Sequence, residues 1–283
     1  KVHPRDAKRA CNAAMIASAP LVAVSANSPY LFGHDLWCET RIPLFEQSVA
    51  VGGFAGASHG PLRRVTFGSG YVRDTILECF IENEEHYPLL LPMQFHDGLE
   101  QMSHVRLHNG TIWRWNRPLI GFDYDGIPHL RIEHRVIPGG PTIADMIANA
   151  ALFYGLMQAL MTAEVPPEQQ LPFATARDNF YMAAQHGMDA HVTWLHGERS
   201  SVQQLLLDHL VPLARQGLEQ LEIDRDDINR YLGIIEGRVR TGQTGTCWQR
   251  TYVERHGGDL AAMTHAYYEQ QEKGAPVHEW EMS

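Results

Sequence analysis

The sequence is poor in cysteine and in net positive charge, and each shortage narrows the range of functions. Its four cysteines, Cys11, Cys38, Cys79 and Cys247, are widely spaced. None forms a CxxC pair, so neither a zinc site nor a thioredoxin-like motif is indicated, and reduced thiols in a cytosolic protein are expected. Asp and Glu number 33 against 23 Lys and Arg, a formal net charge of −10. That balance argues against nucleic acid as the main partner, because phosphate neutralisation needs clustered cations. It leaves room for a nucleotide, since a few local arginines can hold a triphosphate in an acidic protein. No uninterrupted apolar run of about 18 residues occurs, so no membrane span is expected. Residues 52–56, Gly-Gly-Phe-Ala-Gly, lack the Lys-Ser/Thr that completes a P-loop, and residues 52–61 read as a flexible loop. An initiator Met is also missing, and Lys1-Val2-His3-Pro4 reads like the tail of a strand. A segment of a longer protein is therefore expected.

What is present suits a globular chain with a core: 44% of residues are apolar and 20% charged. Residues 5–19 favour a helix closed by Pro20, followed by a short apolar run over 21–26. Residues 74–87 read as a helix ended by Pro88 and Pro92. The period then changes. Residues 104–110 meet a turn signal at Asn109-Gly110, and 111–117 alternate in strand fashion. Residues 129–136 alternate again, with Leu130, Ile132, His134 and Val136 on one face and Arg131, Glu133 and Arg135 on the other. The two runs read as an antiparallel pair. A long buried helix is expected over 142–161, with Thr142 as N-cap and Asp145 in its first turn. Helices follow over 176–185, 201–221, 226–241 and 259–273. The expected class is α+β: one domain over 1–283, with sheet and helix in 1–161 and mostly helix in 162–283.

The strand face carrying Arg131, Glu133 and Arg135, beside Arg114 and Asn116, cannot be a core face, because burying unpaired ions costs several kcal/mol each. Either water covers it or it lines a cleft for a charged ligand. Arginines outnumber carboxylates there. Guanidinium forks bind phosphate oxygens bidentately, and a carboxylate beside them can help hold Mg²⁺. The 16 histidines are scattered. His104 and His108 read as lying at a strand edge, where they would share no helical face, and no zinc site is expected.

Several blocks carry a resemblance in their order and joint presence. They are residues 26–33 (ANSPYLFG), 37–47 (WCETRIPLFEQ), 64–68 (RVTFG) with 71–74 (YVRD), 108–118 (HNGTIWRWNRP), 129–155, 184–190 (AQHGMDA) and 240–250 (RTGQTGTCWQR). Together they resemble the glutamate–cysteine ligase and carboxylate–amine ligase group and, more remotely, glutamine synthetase. The resemblance implies a curved antiparallel sheet cradling the reaction, with helices packed outside. It implies ATP and Mg²⁺ as cofactors and two small-molecule substrates, an amino-acid carboxylate and an amine. By position, Glu133 resembles a Mg²⁺ ligand and Arg135 a phosphate contact. Arg114 and Arg117 resemble arginines that meet phosphates or a substrate carboxylate, with only one of the two expected to point inward. Asn116 and Arg131 are candidates for ligand contact on the same charged face, and Asn27 and Arg41 from the loops. His134 stands where many relatives carry an apolar residue. Arg238, Arg240 and Arg250 around 242–245 are read either as scaffold or as a loop at the site mouth. The resemblance places further metal-binding carboxylates ahead of Lys1, so weak nucleotide binding and no turnover are expected of these 283 residues alone. A non-catalytic relative that binds an anionic small molecule stays open, as does a homo-oligomer or an assembly piece completed by a partner segment.

Overall fold

The computed structural model describes residues 1–49 and 63–281, so the glycine-rich loop expected at 52–61 lies outside the described residues. In chain order the main elements begin with helix α1 (Ala7–Ser25), the short pair β1 (Tyr30–Leu31) and β2 (His34–Asp35), and α2 (Arg41–Ser48). Next come α3 (Leu77–His86), α4 (Ser103–Gly110), β3 (Asn116–Phe122) and β4 (Pro128–His134). Then follow α5 (Ile143–Thr162), α6 (Phe173–His186), the pair β5 (His191–Thr193) and β6 (Arg199–Ser201), and α7 (Val202–Leu205). The chain closes with α8 (Val211–Gln220), α9 (Arg225–Thr241), α10 (Gly245–Arg255) and α11 (Leu260–Lys273). Helices with small antiparallel sheets make this an α+β chain. It divides into two compact units, one of Lys1–Met15 with Pro43–Arg135 and one of Ile16–Ile42 with Val136–Ser283.

The first unit is organised by the β3–β4 hairpin. The pairing runs from Asn116 opposite His134 to Phe122 opposite Pro128. Its turn is closed by Asp123 N–H to Ile127 O and Gly126 N–H to Asp123 O, both 2.9 Å. Gly126 takes φ +80°, a conformation that costs a residue without Cβ little. The antiparallel pair expected from alternation is present, but its first strand starts at Asn116 and not near 111. Residues 104–110 are helical and not extended. His104, Leu107 and His108 fall at helical spacing, and Asn109-Gly110 ends a helix instead of turning a hairpin. His104 and His108 therefore do share a helical face, although no group of three or more metal-ligating side chains occurs among the described residues. Residues 113–115 lie outside the hairpin and bond elsewhere, with Trp113 N–H on Arg64 O (2.7 Å) and Trp115 N–H on Thr66 O (3.0 Å). The buried Trp115 indole donates to Glu46 Oε1 at 2.8 Å.

The second unit is built on α5, which packs against α8 and α9. Thr142 caps α5 as expected, its hydroxyl accepting from Asp145 N–H at 3.2 Å. The α5–α8 approach is set by glycine. A Cβ on Gly155 would stand 2.2 Å from the Ala214 carbonyl oxygen. By length and composition α5 could cross a membrane. Its polar residues are those of a core helix, however: buried Asp145 and Asn149 both bond the buried Arg238. The helix expected to stop at Pro20 continues to Ser25. Every residue from 10 to 26 is buried, and that burial outweighs the single hydrogen bond a proline removes. The helix expected over 201–221 is present with one π turn, Leu206–Leu210, just ahead of Pro212. Helix α10 went unrecognised in the sequence. Gly242, at φ +72°, ends α9, and the Thr244 hydroxyl caps α10 by accepting from Cys247 N–H at 3.2 Å.

Candidate functional site

Strand pairing decides which hairpin side chains meet. Arg117 lies directly opposite Glu133, and Leu119 opposite Arg131, so these side chains share a face with Arg135 just beyond. Arg117 Nε and Nη2 reach Glu133 Oε2 at 2.9 and 2.8 Å, and Arg135 Nη2 reaches the same oxygen at 2.9 Å. One carboxylate oxygen thus gathers two guanidinium groups, while Oε1 takes none of these bonds. Arg117 is buried, and its Nη1 also donates to the carbonyls of Asn109, Gly110 and Ile112. That satisfies the C-terminal carbonyls of α4 and leaves Arg117 committed to the frame. Burial pushes its guanidinium below the usual range, against the pull of Glu133. Arg135 is part-exposed, with a quarter of its side chain in solvent (25%), and Arg131 is exposed. Beyond them, His129 and Arg131 lie over Gly121, where a Cβ would come within 2.6 Å of the His129 ring. The face carries three arginines and one glutamate, and its accessible cations are Arg131 and Arg135.

Two expected members are elsewhere. Arg114 precedes β3 and is buried, with Nη2 3.1 Å from Glu82 Oε1, Nη1 on Asn83 Oδ1, and the Tyr87 ring beneath it. Burial works against its charge, but Glu82 and its neighbours more than offset this and hold its pKa above the ordinary value. It is a core cation of the first unit, not part of the charged strand face. Asn116 is buried on the opposite face, where its Oδ1 lies 2.7 Å from His134 Nδ1. Alternation separates Asn116 from Arg117 but does not say which of the two shares a face with Glu133. The cross-strand register decides it: Asn116 lies opposite His134, and Arg117 opposite Glu133. Farther along the strands the face of Asn116 turns apolar. Ile120 and Leu130 line a groove of about 520 Å³ with Leu77, Phe80, Met102 and Val105.

Asn27 and Arg41 belong to the second unit. The Asn27 amide is enclosed by contacts: Nδ2 donates to Gly139 O (3.0 Å) and reaches the Tyr267 hydroxyl (2.8 Å), and Oδ1 accepts from Gln249 Nε2 (3.0 Å). Gly245 makes room for it, since a Cβ there would fall 1.9 Å from Asn27 Oδ1. Burial pushes the Tyr267 phenol up to about 12, so it stays a neutral hydrogen-bonding group. Arg41 Nε donates to Glu39 Oε1 at 3.0 Å and Nη2 to Val136 O at 2.6 Å. Glu39 was missed in the sequence.

The second unit also holds a cavity of about 390 Å³, lined in part by Cys38, His186, Asp189, Thr244, Cys247 and Arg250. It draws on three of the sequence blocks noted above, 37–47, 184–190 and 240–250. Arg250 reaches this cavity while bonding Asp35, at 2.6 Å, and Cys38 Sγ, at 3.2 Å. Burial pushes the Cys38 thiol up despite Arg250, which suits an inert thiol. Arg238 lies elsewhere, in the buried pair with Asp145, and Arg240 is exposed.

Comparison with known proteins gives one family. The family model described as glutamate-cysteine ligase family 2 matches residues 3–266, nearly the whole chain. A search of curated proteins found no match.

Proposed function

Because the chain belongs to glutamate-cysteine ligase family 2, a family of ligases, we propose that it is an ATP-dependent carboxylate–amine ligase acting through an acyl phosphate. The observation that carries the reading is the charged hairpin face, where one glutamate organises two arginines and the positive charge is in surplus. In the proposed reaction a carboxylate oxygen of an amino acid attacks the γ-phosphorus of ATP and ADP leaves. The amine nitrogen then attacks the acyl carbon, phosphate leaves, and the nitrogen loses a proton as the amide forms. Phosphorylation supplies the leaving group that a carboxylate lacks, so catalysis rests on positioning and charge neutralisation.

Arg131 and Arg135 are assigned to the phosphates. Arg117 is assigned to holding Glu133 and, through it, Arg135. Glu133 offers Mg²⁺ one protein carboxylate, so nucleotide binding by these residues alone is expected to be weak. Glu133 Oε1 carries no guanidinium, and Mg²⁺ commonly takes one or two carboxylates plus substrate phosphates. Bound there, the ion would neutralise phosphate charge. Asn27 is assigned to the frame, because its amide is already committed, and Arg41 to substrate contact. Arg114 and Asn116, both buried, are left out of the ligand contacts. Glutamate as the acid and cysteine as the amine follow from the family, not from pocket shape. The reading is tested by titrating ATP with Mg²⁺ into the chain. Arg135→Ala is expected to weaken binding by about 10- to 100-fold, the loss of roughly 1.5–3 kcal/mol from a charged hydrogen-bonding group. Unchanged affinity would overturn it.

A further inference from the structure

Glu39 is a fully buried carboxylate in the second unit, with 0% of its side chain exposed. Its oxygens hold three groups: Oε2 accepts from the Asn27 backbone N–H at 2.9 Å, Oε1 accepts from Arg41 Nε at 3.0 Å, and the Ser28 side chain also bonds the carboxylate. Loop closure alone gives no reason for an ion here. The same segment is already tied by Cys38 N–H to Gln185 O, Glu39 N–H to Ala184 O and Thr40 N–H to Ser28 O. Keeping a carboxylate out of water is costly unless it is well paired. Burial raises the Glu39 carboxyl above its ordinary value, against the pull of the Asn27 N–H and of Arg41. What the ion adds is direction. With its Nε edge on Glu39 and Nη2 on the Val136 carbonyl, the Arg41 guanidinium is fixed in plane, while a third of its side chain (33%) meets solvent.

We infer that Glu39 is a positioning residue that aims the Arg41 guanidinium at the carboxylate of the acid substrate. The inference rests on the ligase reading for the presence of such a substrate. A carboxylate fits this group better than a triphosphate does. Glu39 and Arg41 together carry no surplus charge, so recognition there depends on the orientation of the guanidinium fork, which matches a planar carboxylate. The hairpin face of the first unit, with its surplus positive charge, has the opposite character.

The test is residue-resolved: phenylglyoxal modification of arginines, mapped by mass spectrometry, with L-glutamate or Mg²⁺-ATP as the protecting probe. In the unaltered chain L-glutamate is expected to slow modification of Arg41 at least tenfold. Glu39→Ala is expected to abolish that protection. Glu39→Gln, similar in volume, keeps one acceptor but turns an N–H toward Arg41 or Asn27, and is expected to reduce protection several-fold. A merely structural Glu39 would change the melting temperature and the bare modification rate of Arg41 without changing the protection ratio. Protection in both variants equal to that of the unaltered chain overturns the inference, and so does a lack of L-glutamate protection in the unaltered chain. Protection of Arg135 by Mg²⁺-ATP reports separately on the ligase reading. Its absence alongside intact Arg41 protection would count against that reading while leaving the contact of Arg41 with L-glutamate standing.

Discussion

Replacing Arg238 with Met strands a charge in the core of the second unit, and the size of the effect follows from its surroundings. Arg238 and Asp145 have side-chain exposures of 1% and 0%, with Nη2 2.7 Å from Oδ1. Arg238 Nη1 also donates to Asn149 Oδ1 (2.6 Å) and to the carbonyl of Val24 (3.0 Å). In Arg238→Met, Asp145 would keep only the Thr142 hydroxyl, at 2.8 Å, and the Val277 N–H, at 3.1 Å. Removing one partner of such a pair costs about 3–5 kcal/mol. At roughly 2–4 °C per kcal/mol for a domain of about 150–250 residues, the melting temperature should fall by about 6–20 °C. Trp248 and Trp280, buried together in a cluster of this unit, report the transition by fluorescence during thermal or urea unfolding. Adding Asp145→Asn removes the stranded charge and keeps an acceptor for Val277. The double variant should therefore be more stable than Arg238→Met alone. A loss under about 1 kcal/mol, or a double variant less stable than the single, would refute the reasoning.

Two further outcomes test the packing and the titration of the fold. Gly155→Ala drives a Cβ against the Ala214 carbonyl and should cost about 1–3 kcal/mol or more in chemical unfolding, whereas Gly233→Ala, with no atom within 4 Å, should be neutral or stabilising. Burial lowers the pKa of His108, whose Nε2 lies 3.1 Å from Tyr87 O, so it stays neutral in the fold at a pH where the unfolded chain already binds its proton. Stability should therefore fall as pH drops from the ordinary histidine value through the lowered one, and His108→Gln should flatten that limb of a stability-versus-pH curve.

The sequence exposed some of this plainly and concealed the rest for physical reasons. The cap of α5 was legible because Thr142 and Asp145 act within one turn. The hairpin was legible as a pair, since Asp125-Gly126 marks its turn and β4 alternates cleanly. Its first strand was misplaced because Asn109-Gly110 can end a helix as readily as it turns a hairpin. Local sequence does not choose between these; the tertiary bonds of Arg117 to the carbonyls of Asn109 and Gly110 do. Which face of that strand joins Glu133 is set by the pairing register, Asn116 opposite His134, and no local sequence signal carries it. Pro20 misled in the same way, because its helix is held by burial and not by propensity. Glu39 was hidden because its role depends on Asn27, 12 residues away, and on complete burial, neither of which has a local signature.

In the proposed function Arg135, held by Glu133, meets the triphosphate. Calorimetric titration of ATP with Mg²⁺ into the unaltered chain, Arg135→Ala, Arg135→Lys and Glu133→Gln tests this most directly. The largest loss of affinity is expected for Arg135→Ala, with partial retention for Arg135→Lys, which keeps the charge without the fork. For Glu133→Gln a loss that depends on Mg²⁺ is expected. Equal ATP affinity across all four proteins would contradict the proposed contact.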